Sequence, residues 1–105
     1  MKFIGYWENV VPGSGENVAK KMVLLGEEMK KEPKKYPKTI SDIYSTSSLK
    51  GFQLIEADNE EQLINLRQLW FPELTFEFVL IADVYSFESK AFTGKAASAY
   101  QRMSK

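Results

Sequence analysis

Hydrophobic residues along this chain fall first into a short dense run, then into helical spacing, then into alternation, and the succession repeats once. Lys2 to Glu8 is rich in Phe, Ile, Tyr and Trp and is followed by the breakers Pro12, Gly13, Ser14 and Gly15, which predicts a strand leaving through a loop. From Glu16 to about Lys31, Val18, Met22, Leu25 and Met29 recur on the face of one helix. Lysines gather at the end of that segment, where they suit the negative pole of the helix, and Pro33 and Pro37 prevent its continuation. Lys38 to Ser47 is weakly strand-like. Ser48 to Gly51 supplies a turn into the clearer strand Phe52 to Ala57, so the two segments are expected to form a hairpin.

Asp58, Asn59, Glu60 and Glu61 form a capping-box pattern, with the Asp58 side chain accepting from a first-turn amide and Glu61 reaching back. In the helix that follows, Leu63, Leu66 and Trp70 share a face. Pro72 removes a donor and biases Phe71 away from helical geometry, so the helix ends near Trp70. Leu74 to Tyr85 has no Gly or Pro and predicts a full strand. After Gly94, the positions of Ala96, Tyr100 and Met103 predict a short amphipathic helix. Residues 1–88 are read as one domain and 89–105 as a C-terminal extension.

The order β-α-β-β-α-β is the ferredoxin-like arrangement within the α+β class, a four-stranded antiparallel sheet with two helices on one face. Along the last strand, Leu74, Phe76, Phe78, Leu80, Ala82 and Val84 form an apolar row that belongs under the helices. Thr75, Glu77, Val79, Ile81, Asp83 and Tyr85 form a mixed row on the other face. By the same alternation Phe3, Gly5 and Trp7 point to the helices. Ile4, Tyr6 and Glu8 join the mixed face, as do Gln53 and Ile55 from the third strand. A sheet face carrying Ile4, Tyr6, Ile55, Val79 and Ile81 is too apolar to be left in water, so a second sheet is expected to cover it.

A chain of 105 residues buries roughly two-thirds of its unfolded surface, enough for one core without staples. Fourteen basic residues balance fourteen acidic ones, which removes the long-range attraction of a nucleic-acid or anionic-membrane binder. The absence of cysteine removes disulfides and a thiol nucleophile; the absence of histidine removes the usual general base and the commonest metal ligand. No metal and no cofactor is therefore expected. The opening run is too short and too aromatic for a signal-peptide core, and no apolar run approaches the ~20 residues of a membrane span. The expectation is a cytoplasmic protein.

The layout, and in particular GFQLIEADNEEQLINLRQLWFPELTFEFVLI, resembles the dimeric α+β barrel superfamily. Within it the chain is similar to a small, uncharacterised family whose members begin with an MKFIGYW-like strand and carry Glu-Ala-Asp before the second helix. The muconolactone isomerases show a similar helix-to-strand pattern in the C-terminal half. The resemblance covers roughly residues 1 to 88. It implies a homodimer in which two sheets enclose a barrel with a small-molecule pocket in each half, and it carries over no catalytic residue. Haem-binding relatives generally use an axial histidine, which this chain lacks.

Glu8, Asp42, Glu56, Glu77 and Asp83 each interrupt a largely apolar strand. A desolvated carboxylate there is a candidate general base, against the plainer reading of strand-end or lysine-paired groups. Glu77, flanked on its own face by Thr75 and Val79, is the best catalytic candidate, while Glu56 is a candidate brace for the second helix. The ligand-binding candidates are Tyr6, Glu8, Tyr44, Gln53 and Asp83. Tyr6 and Tyr44 each offer apolar contact plus one hydroxyl, whereas Trp7 and Trp70 are assigned to the core or the dimer seam. Lys30, Lys31, Lys34, Lys35 and Lys38 are explained by the helix pole and a solvated loop. Gly13, Ser14 and Gly15 lack the Lys-Ser/Thr ending of a phosphate loop. Two functions remain: a non-catalytic module binding a small apolar or aromatic molecule or serving assembly, and a cofactor-independent isomerase or monooxygenase acting on such a molecule.

Overall fold

In the computed structural model, which describes residues 1–82, the chain is an α+β fold of five antiparallel strands and two helices. The elements are β1 (Lys2–Asn9), α1 (Gly15–Lys31), β2 (Lys38–Thr39), β3 (Tyr44–Ser47), β4 (Lys50–Glu56), α2 (Glu60–Trp70) and β5 (Leu74–Ile81). β1 lies between β4 and β5, and both β2 and β3 pair with β4 on its outer side. The expected C-terminal helix, the domain boundary at residue 88 and the candidate Asp83 lie outside the described residues.

Five strands rather than four arise because the expected second strand is broken. Thr39 pairs with Ile55 and Tyr44 with Phe52, so five steps of chain on one side face three on the other. The excess is accommodated at Ser41 to Ile43. There the Ser41 Oγ accepts from the Leu54 N–H at 2.8 Å, replacing a ladder bond with a side-chain bond.

The row Leu74, Phe76 and Phe78 of β5 meets Leu66 and Trp70 of α2, and Trp7 from β1 packs against the same cluster. Val18, Leu25 and Met29, three of the four positions expected on the inner face of α1, also contact it. Register overturns one expectation. Gln53 is paired with Gly5 and Ile55 with Phe3, and cross-strand partners share a face, so both belong with the helix-side row and both are buried. The open face carries Phe52 and Leu54 from β4 instead, beside Ile4, Tyr6, Val79 and Ile81.

The second helix is capped one residue later than the capping-box reading. Asn59, not Asp58, is the N-cap, and its Oδ1 accepts from Gln62 N–H at 3.0 Å. The Gln62 Oε1 in turn accepts from Asp58 N–H at 2.8 Å, while Gln62 Nε2 donates to the Lys34 carbonyl at 2.9 Å. One buried glutamine thus starts α2 and ties it to the loop after α1. Glu56 is exposed and is not the brace of this helix. The helix ends as expected, with Phe71 extended ahead of Pro72.

Two further links set the position of α1. Lys21 Nζ donates to the Phe71 carbonyl at 2.7 Å and pairs with Glu73 Oε2 at 2.5 Å. Nearer the C-terminus of the helix, the buried Tyr36 hydroxyl donates to the Glu28 carboxylate. Despite these ties α1 has no fully buried residue. The helix stands off the sheet and leaves a space beneath it. No described helix is long and apolar enough to cross a membrane.

Candidate functional site

The gap between α1 and the helix-side face of the sheet is a cavity of about 400 Å³. Its roof is the inner stripe of α1, with Val18, Met22, Leu25, Gly26 and Met29. Its floor is Trp7, Gln53, Leu74 and Phe76, and Leu66 and Trp70 of α2 close one side. Thr39, Ile43 and Ser48 border it from the β2–β3 edge. The volume falls within the ordinary range for small-molecule sites, and an apolar lining with few polar groups is the usual composition of such sites.

Two mostly buried side chains with polar atoms in this lining make no hydrogen bond among the described residues. Gln53 is only 7% exposed, and its amide makes no hydrogen bond among the described residues. The Trp7 Nε1 is buried and likewise has no acceptor. The Trp7 Nε1 has thus given up its water without a replacement, which is uncommon, whereas the Gln53 side chain borders the open space of the cavity. Across the ladder from Gln53 stands Gly5, where an added Cβ would make only ordinary contacts, 3.8 Å from Gln53 Cγ and 3.6 Å from the Phe78 ring. Trp7 is held by another glycine, as its indole rests directly on Gly51.

No Asp, Glu, Lys or Arg lines the cavity among the described residues. Asn9, at its margin, spends its side-chain oxygen locally, accepting from Val11 N–H at 3.1 Å and from the Ser14 hydroxyl at 3.0 Å. The two groups with clearly displaced titration, Tyr36 in the loop after α1 and Glu73 just before β5, lie outside the lining. Burial raises the pKa of the Tyr36 hydroxyl, and the hydrogen bond and charge of Glu28 add to this. The hydrogen bond from Lys21 lowers the Glu73 carboxyl below its ordinary range, against the opposing effect of burial.

The candidates read from sequence divide between the two faces. Tyr6, Glu8, Tyr44 and Glu77 belong to the open face, where Tyr6 is the cross-strand partner of both Phe52 and Glu77. There the Phe52 ring stacks on Tyr44 at 5.2 Å and meets Tyr6 at 6.3 Å. Glu8 pairs with Lys50 at 3.2 Å, the plainer of its two readings. Tyr6, Glu8 and Glu77 border a separate depression of about 440 Å³ that opens to solvent. Glu77 is exposed there. Gln53 alone of the described candidates lines the cavity under α1, on the face opposite to the one expected.

Trp7 and Trp70, expected in the core or at the dimer seam, are both cavity walls. The one local trace is Gly51, opposite Trp7 on β4, which has no Cβ where the indole lies. Compared with family models, with curated proteins and with solved structures, the chain shows no match.

Proposed function

We propose that this chain is a small-molecule-binding module whose ligand occupies the space between α1 and the sheet. In this reading the architecture is ferredoxin-like, with β2 and β3 as one interrupted strand, and two copies associate through their open sheet faces as a dimeric α+β barrel. The observation that carries the binding reading is the wall of an otherwise apolar cavity of about 400 Å³, which holds the buried, unpartnered Trp7 Nε1 and the amide of the mostly buried Gln53, unengaged among the described residues. The dimer reading rests on the open face, where Tyr6, Tyr44 and Val79 are each more than 40% exposed beside Ile4, Phe52 and Leu54.

Binding is favoured over catalysis by the lining itself. Proton transfer needs a titratable group within reach of the substrate, and Glu77, the candidate base, stands on the other face of the sheet. The test is native mass spectrometry of the full chain beside Gly26→Phe, since a Cβ at position 26 meets nothing within 4 Å and a ring there would fill the cavity mouth. The expected result is a dimer that retains or takes up a small molecule, with occupancy lost in the variant and the dimer kept. Absence of any bound mass across a panel of apolar compounds would overturn the binding reading.

A further inference from the structure

The polarity of the cavity wall narrows what it holds, and this step rests on the binding reading above. We infer that the ligand is an uncharged, mostly apolar molecule bearing a carboxamide-like head, which pairs with the side-chain amide of Gln53.

Three observations lead there. The described lining carries no charged side chain. A carboxylate, phosphate or ammonium placed inside would lose its hydration without a counter-charge, a cost that apolar contact does not offset. The second observation is Gln53 itself, nine-tenths buried and unengaged among the described residues. A primary amide presents donors and an acceptor side by side, and its best uncharged complement presents the same pair reversed, as another amide does. A purely apolar ligand would leave both unmet, and one with only an acceptor would leave the Gln53 oxygen unmet. The third is the apolar remainder. Val18, Leu25, Met29, Leu66, Trp70 and Phe76 surround the rest of the space with hydrocarbon and aromatic faces. At ~30 Å³ for each water displaced, the cavity exchanges about a dozen waters for a ligand of similar atom count. Trp7 Nε1 lies deeper, sealed from solvent, and offers one further donor to a carbonyl oxygen if the indole shifts on binding.

The test uses three naphthalenes bearing, at the same ring position, a carboxamide, a carboxylate or an isopropyl group. The heads are closely matched in size and differ in charge and hydrogen bonding. Affinity for the full-length protein is read by quenching of its two tryptophans, both of which line the cavity. The expected order is carboxamide tightest, isopropyl about tenfold weaker, and carboxylate weakest. In Gln53→Leu, which keeps the size of the side chain and places an apolar group at a buried position, the carboxamide falls to the affinity of the isopropyl compound, whose own binding is unchanged.

Equal affinity for carboxamide and isopropyl, or tightest binding of the carboxylate, overturns the inference while leaving a binding cavity in place. No saturable binding of any of the three overturns the binding reading together with it. Should Gln53→Leu fail to fold, the order of the three affinities on the native protein decides alone.

Discussion

The indole of Trp7 lies flat against the backbone of Gly51, so closely that a Cβ at position 51 would stand 2.2 Å from Trp7 Cζ2 and 2.0 Å from the Tyr44 carbonyl oxygen. One obstacle is a bulky ring and the other is backbone, so neither yields easily. Gly51→Ala is therefore expected to destabilise the protein by about 2–3 kcal/mol, read as a lower urea midpoint at unchanged slope. The displaced indole would also alter the cavity wall, so probe binding should weaken in the same variant.

Gly26 gives the opposite result. It sits within α1, its backbone is helical, and an added Cβ meets nothing within 4 Å. Gly26→Ala is expected to raise stability by about 0.5–1 kcal/mol, through the lower entropy of the unfolded chain. A fall in the thermal midpoint would show that α1 needs to bend at this point.

The Lys21–Glu73 pair should govern part of the acid limb. Because Glu73 is held below its ordinary pKa of 4.5, it contributes stability that is present above that value and lost as pH falls through the lowered folded value. Lys21→Met is expected to reduce stability near neutrality and to flatten the decline below pH 4.5. Denaturant midpoints measured at a series of acid pH values check both. A decline as steep as in the native protein would assign the acid limb to other carboxylates.

Tyr36 should act on the alkaline side. Its hydroxyl pKa is raised above the ordinary 10.0, so its contribution is complete below pH 10 and is lost as pH climbs through the raised folded value. Tyr36→Phe is expected to cost about 1 kcal/mol at neutrality, because Glu28 loses a donor and regains water only in part. The same variant should unfold less steeply with pH above 10, as followed by circular dichroism.

Association through the open face predicts that Val79→Lys, which sets a charge beside Ile4 and across the face from Tyr6, converts a dimer to a monomer while keeping its thermal midpoint as a folded unit. Light scattering on a sizing column gives the mass directly. A native protein that is monomeric at tens of micromolar would remove the dimer from the proposal.

Most of this architecture can be read from local pattern. The α2 helix and the inward row of β5 stand out because a proline, a cap and strict alternation agree on them. The β4 strand misleads because Phe52, Leu54 and Ile55 are all apolar, so alternation does not choose a face. The choice is made by pairing with Gly5 and Phe3, which no local window contains. The N-cap is ambiguous for a similar reason, since Asp58 and Asn59 each have an acidic or amide residue three places on. The cavity is absent from any pattern. It exists because α1, although linked through Lys21 to Glu73 and through Glu28 to Tyr36, buries no residue against the sheet, a property of spacing between elements that residue types do not encode.

The break between β2 and β3 affects how copies of this chain can meet. A continuous outer strand from Lys38 to Ser47 would present a straight row of unpaired amides and carbonyls on which another chain could add a strand, the first step toward fibrous aggregation. The two surplus residues and the inward bond of Ser41 interrupt that row after Thr39. Lateral growth from this edge is thereby discouraged, while the broad face of the sheet stays free. The same irregularity that complicates the fold thus keeps the β4 side of the sheet from serving as a template for disordered assembly.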